Sequence, residues 1–263
     1  MEILGYAAAL LIGISLGLTG SGGSILTVPI LVYLIGLTPV TATAYSLFVV
    51  GSTSLVGSFK MYRKKLVSFK TALVFGIPSL LTVLFTRAFV IPAIPDTLFT
   101  VGAFTVTKDI MLMVLFAVLM VAASYSMIHK KKSKSPKETA AEIRYLPVMG
   151  QGMLVGLISG LVGAGGGFLI IPALVLFTGL EMKLAVGTSL FIIAANSLFG
   201  FLGDVLHSHI DWVFLLAFSS LSIAGIFIGT ALSTRIDGER LKKGFGWFIL
   251  AMGVYIIAKE LFF

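Results

Sequence analysis

The chain has 263 residues, of which 58% are hydrophobic and only 11% charged, and its mean hydropathy is +1.08. A soluble domain carries about 25% charged residues, so this composition excludes a soluble globular protein and defines an integral membrane protein. The net charge of +8 does not imply nucleic acid, because 15 of the 19 Lys and Arg fall in three short stretches, 60–70, 130–144 and 235–243, and loop charge of that kind reports topology.

The sequence divides into ten apolar segments. The first five lie at about 3–19, 25–37, 40–59, 67–88 and 110–128, and the second five at about 147–162, 168–179, 184–203, 212–234 and 243–262. Met1-Glu2-Ile3 carries no basic stretch, so the first segment is expected to be a retained helix. The second segment of each set is short. Thirteen helical residues, as in 25–37, cover about 20 Å, against a hydrocarbon core of about 30 Å. Each short segment is therefore expected to be the returning arm of a hairpin, with five full crossings per half as the alternative. Between the two sets runs a polar, basic linker, 129–146. The expected domains are a first repeat, 1–128, and a second repeat, 147–263.

Loop charge sets the orientation. The stretch with Lys60, Arg63, Lys64, Lys65 and Lys70 is expected on the cytoplasmic side, as is the linker. The equivalent of the first basic loop in the second set is GDVLHSHID, 203–211, with no Lys or Arg, and it is expected outside. The two halves then have opposite orientation, and both termini lie outside. The expected fold is an all-α polytopic membrane protein of two inverted-topology repeats. Each repeat has a glycine-broken helical hairpin and three transmembrane helices.

The repeat itself is explicit. GLTGSGGSILTVPILV at 17–32 returns as GLVGAGGGFLIIPALV at 160–175, 143 positions later, with nine of sixteen residues identical. Three glycines within four residues weaken a helix by about 1 kcal/mol each, so the pattern predicts a break in both copies. A break inside a membrane exposes backbone N–H groups and the positive end of the next helix, and an anion satisfies both. The expected anion contacts are Gly20, Ser21, Gly22, Gly23 and Ser24 in one loop, and Gly163, Ala164, Gly165, Gly166 and Gly167 in the other. Ser21 and Ser24 add hydroxyls; Ala164 and Gly167 do not. The third segments add Ser46, Ser189 and Asn196 as expected pore-lining groups, which interhelical bonding would explain equally well. Pro29 and Pro172 sit six positions past the last shared glycine; each frees a carbonyl one turn back, and a structural bend and a contribution of that carbonyl to the site are equal readings. Gly13, Gly17, Gly156 and Gly160 are read as helix-packing residues at small-xxx-small spacing.

Ionisable residues all fall near segment ends, and Arg87 is expected to snorkel from a helix end. A proton-coupled carrier usually buries such a group, so obligatory proton symport is disfavoured. An anion leaving an inside-negative cell gains about 2.3 kcal/mol per charge per 100 mV, which favours export. No cofactor or metal is expected: cysteine is absent, and His129, His207 and His209 all lie in loops. An intramembrane hydrolase is disfavoured for the same reason, since a buried histidine is missing beside Ser21.

The repeated G-x-x-G-x-G-G-x-x-x-x-x-P pattern at 17–29 and 160–172 resembles that of the TauE/SafE family, the sulfite exporter or toluene-sulfonate uptake permeases. The resemblance covers both halves. It implies a transporter of sulfur-containing anions such as sulfite, sulfonates or sulfoacetate in a prokaryotic plasma membrane. An anion channel, a passive facilitator and an ion-coupled uptake permease on the same scaffold remain as alternatives. The expected partners are a small anionic substrate and the bilayer, with a homodimer left open and no nucleic acid.

Overall fold

The computed structural model of the protein describes residues 2–20, 22–101, 104–128, 145–205, 210–232 and 238–262. In the first half, α1 (Glu2–Thr19) is followed by α2 (Gly22–Pro29), which runs on as a π-helical turn over Ile30–Leu34. Then come α3 (Pro39–Arg63) and α4 (Phe69–Phe85), the latter continued by a π turn over Thr86–Val90 into α5 (Ile91–Ala93). The strands β1 (Thr97–Val101) and β2 (Phe104–Thr107) precede α6 (Lys108–Ile128). The second half holds α7 (Tyr145–Val162), α8 (Gly167–Thr178), α9 (Met182–Val205), α10 (Trp212–Leu232) and α11 (Gly238–Phe262). Five stretches among the described residues are long and apolar enough to cross a bilayer: Pro39–Arg63, Phe69–Ala93, Lys108–Tyr125, Met182–Val205 and Trp212–Leu232. The chain is a predominantly helical, multi-pass membrane protein.

One element departs from the all-α expectation. TLFTV and FTVT pair as an antiparallel hairpin, with Val101 opposite Phe104 and Phe99 opposite Val106. Threonine, valine and phenylalanine at alternating positions suit a pleated ladder better than a helix. Residues 129–144 of the expected linker lie outside the described residues, and 145 and 146 already belong to α7.

The helices pair across the repeat. The first helix of each half lies along the fourth of the other: α1 along α10, and α7 along α4. The third helix and the last helix of each half meet their own counterparts, α3 with α9 and α6 with α11. Glycine sets these contacts. A Cβ at Gly17 would lie 2.7 Å from the backbone of Ile226 and Thr230, and one at Gly13 would strike the Ser222 carbonyl. In the other pair, a Cβ at Gly156 would lie 2.9 Å from Ser79 Cα and one at Gly160 2.7 Å from Thr86 Cβ. Small residues here let two backbones touch. Gly156 and Ser79 stand 143 positions from Gly13 and Ser222 respectively, so the two contacts are equivalent.

Partner numbers also give direction. Gly13 and Gly17 meet α10 in rising order, so α1 and α10 run parallel, and Gly152, Gly156 and Gly160 meet α4 in the same way. By contrast, Gly51 faces Leu198, Gly57 faces Leu190 and Gly200 faces Leu47, so α3 and α9 cross antiparallel. Their crossing is centred near Thr53 and Asn196, which are equivalent positions of the repeat.

Gly156→Leu is expected to destabilise the fold by roughly 1–3 kcal/mol or more, as overpacking does. Gly150→Leu on the same helix is the control, because no atom lies within 4 Å of a Cβ there. Thermal unfolding in detergent checks this: an unchanged midpoint for Gly156→Leu contradicts the backbone contact.

Candidate functional site

Both glycine runs interrupt the helix. α1 stops at Thr19 and α2 starts at Gly22; α7 stops at Val162 and α8 starts at Gly167. Gly20 has φ +77°, and Gly163, Gly165 and Gly166 have φ +70°, +66° and +69°. This left-handed conformation is costly for any residue with a Cβ. The Gly20 amide closes α1 by donating to the Leu16 carbonyl at 2.8 Å, and Gly163 closes α7 on Ser159 at 2.9 Å. The Gly166 carbonyl opens α8 by accepting from Leu169 and Ile170 at 2.9 and 3.0 Å. Gly20, Gly23, Ser24 and the whole run 163–167 are buried. Ser21 lies outside the described residues, as do His207 and His209.

Each loop touches the other half. Gly20 rests on Val186 of α9, and Gly163 rests on Thr43 of α3, with 43 and 186 equivalent in the repeat. The second loop reaches the α3–α9 crossing. A Cβ at Gly165 would lie 2.5 Å from Ser197 Oγ and 3.0 Å from Val50 Cγ1, and one at Gly166 would lie 2.8 Å from Ser159 Oγ. The hydroxyls of Ser159 and Ser197, which face it, and those of Ser46, Thr53 and Ser54 on α3 with Asn196 Oδ1 on α9, are buried and without a hydrogen-bond partner among the described residues. Buried polar atoms are nearly always paired, so these unmatched atoms stand out.

The expected polar residues behave differently from one another. Asn196 donates from Nδ2 to Ser79 Oγ at 2.7 Å and keeps Oδ1 unmatched. Ser189 donates to its own helix, at Val186 O, 2.8 Å, whereas Ser46 at the equivalent position has no partner among the described residues. Pro29 is buried and leads into the π turn, while Pro172 sits exposed within an uninterrupted α8.

Arg87 corrects the sequence reading. It does not snorkel: it is 1% exposed, and its Nη1 donates to Asp204 Oδ2 and to Thr43 Oγ1, both at 3.1 Å. Asp204 is itself only 8% exposed. The helix does not end after Phe85 but continues through the π turn, and such turns shift which face a side chain occupies. Gly203 and Gly163 leave room for the guanidinium; a Cβ at Gly203 would lie 3.1 Å from Arg87 Cβ, and one at Gly163 would strike Nη2. The core therefore does hold an ionisable pair of the kind that proton-coupled carriers bury.

The repeat places a second cation. Thr230 is the counterpart of Arg87 and Lys60 that of Gly203, and Lys60 Nζ donates to Thr230 Oγ1 at 2.6 Å. Thr230 lies against Gly17, one turn before the first glycine break. Each half thus brings one cation to the same pair of positions, from opposite members of the pair.

Membrane-crossing helices with two broken segments in the core define a multi-pass membrane transporter. The profile of the family described as sulfite exporter TauE/SafE matches residues 5–256, and the chain belongs to that family. A probable membrane transporter protein of Xylella fastidiosa (strain 9a5c) is 29% identical over 258 residues, covering 94% of this chain and 91% of that protein. The probable membrane transporter protein YunE of Bacillus subtilis (strain 168) is 27% identical over 278 residues, covering 98% and 100%. A probable membrane transporter protein of Haemophilus influenzae is 27% identical over 269 residues, covering 95% of each. No solved structure matches this chain.

Proposed function

We propose that the chain exports small sulfur-containing oxyanions of the sulfite, sulfonate or sulfoacetate type across a prokaryotic plasma membrane. The anion is held near the midplane between the N-terminal turns of α2 and α8. One observation carries this reading: both glycine runs break the chain inside the protein, and each break rests on the equivalent position of the other half. Helix N-termini attract anions, and buried hydroxyls at the second break add donors. Membership of the sulfite exporter TauE/SafE family supports sulfite as the first substrate to try. The inside-negative potential drives an anion outward.

The two halves, 1–128 and 147–263, are read as inverted-topology repeats, with the linker cytoplasmic and both termini outside. The antiparallel crossing of the equivalent helices α3 and α9 supports inversion. The chain has no cysteine, so single introduced cysteines report cleanly. Lys65→Cys and Ser208→Cys occupy equivalent loops. In intact cells an impermeant thiol reagent is expected to label Ser208→Cys and to reach Lys65→Cys only after lysis; labelling of both from one side contradicts inversion.

Proteoliposome flux tests the transport reading. Sulfite efflux is expected to saturate and to be accelerated by sulfite on the opposite side. Linear efflux without counterflow indicates a channel, and no flux of any sulfur oxyanion removes the reading.

A further inference from the structure

Among the described residues, Arg87 uses one of its three nitrogens in hydrogen bonds. Nη1 holds Asp204 and Thr43, while Nε and Nη2 are buried and have no hydrogen-bond partner among the described residues. The unmatched pair is not arbitrary. Nε–H and Nη2–H lie on the same edge of the planar guanidinium and point the same way, which is the arrangement that takes two oxygens of one anionic head. That edge lies beside Gly163, the first left-handed residue of the second break, where even a methyl group would collide with Nη2. Leaving two charged donors unmet in the interior is expensive unless a ligand meets them.

We infer that Arg87 recognises the anion's charge: its Nε–Nη2 edge takes two oxygens of a sulfonyl- or carboxyl-type head beside Gly163, while Asp204 and Thr43 hold the opposite nitrogen in register. This rests on the anion-transport reading and names the residue that sets its substrate class. Asp204 acts as a positioning residue. It neutralises the guanidinium within the protein, so the resting site buries a pair and not a lone charge. A planar two-donor edge favours anions with two oxygens on one atom over a spherical halide. Lysine keeps the charge and loses the edge.

The test uses the full chain in proteoliposomes, with sulfite as the probe and chloride as the comparison ion. Arg87→Lys is expected to weaken half-saturation by sulfite about tenfold or more, the effect of one lost hydrogen bond to a charged group, and to lower sulfite-over-chloride selectivity with it. The double variant Arg87→Met/Asp204→Leu replaces the pair by apolar groups, a change that buried ion pairs often tolerate. It is expected to keep a near-normal melting temperature and to lose saturable sulfite flux. Gly165→Leu separates the two readings. Wild-type sulfite affinity and selectivity in Arg87→Lys, or saturable flux in the double variant, overturns the role of Arg87 while flux loss in Gly165→Leu leaves the loop site standing. Normal flux in all three removes both. Should either Arg87 variant not fold, the other decides.

Discussion

Replacing Gly165 with leucine is expected to abolish sulfite flux while the protein still inserts in the membrane. Two effects act together. The residue sits at φ +66°, where a side chain costs about 1–2 kcal/mol. A Cβ would also lie 2.5 Å from Ser197 Oγ, so the side chain fills the space between the loop and the α3–α9 crossing. Gly22→Leu, at the start of α2, is expected to do the same in the first loop. Gly179→Ala separates strain from obstruction: it has φ +67° and nothing within 4 Å of a Cβ, and it ends α8 far along the chain from the break. Flux is expected to survive there. Normal flux in both Gly165→Leu and Gly22→Leu removes the glycine loops from the mechanism.

The second large effect is on stability. Asp204→Leu leaves Arg87 buried without its carboxylate, and breaking a buried pair in this way costs roughly 3–5 kcal/mol. The unfolding midpoint is expected to fall by several degrees, and adding Arg87→Met is expected to restore most of it. The two changes are therefore strongly non-additive, as contacting residues are. A midpoint unchanged by Asp204→Leu alone means that the pair does not hold Arg87 in place.

The glycine breaks were legible because their cause is local. Three glycines in four residues disfavour a helix in any surroundings, and a second copy 143 positions later repeats the signal. The packing of Gly13 and Gly156 was legible for a similar reason, since small residues one turn apart have few other uses in a membrane. Arg87 was not legible. Its fate depends on a π turn and on Asp204, 117 positions away, and neither leaves a local trace. The repeat does carry one trace of it, because Arg87 stands where the second half has Thr230. Ser46 and Ser189 mark another limit. The two are identical in sequence, yet only Ser189 bonds back to its own helix. The β1–β2 hairpin carries Thr and Val in alternation, but so short a pattern between two apolar segments is a weak strand signal.

Selenite, a heavier analogue of sulfite, allows the site to be located directly by anomalous X-ray diffraction from crystals of the wild-type protein at saturating ligand. A peak is expected within hydrogen-bonding distance of the Gly163–Gly167 backbone and the Arg87 edge, facing the Gly20–Ser24 loop. A selenium peak elsewhere, with none between the two loops, contradicts the anion site.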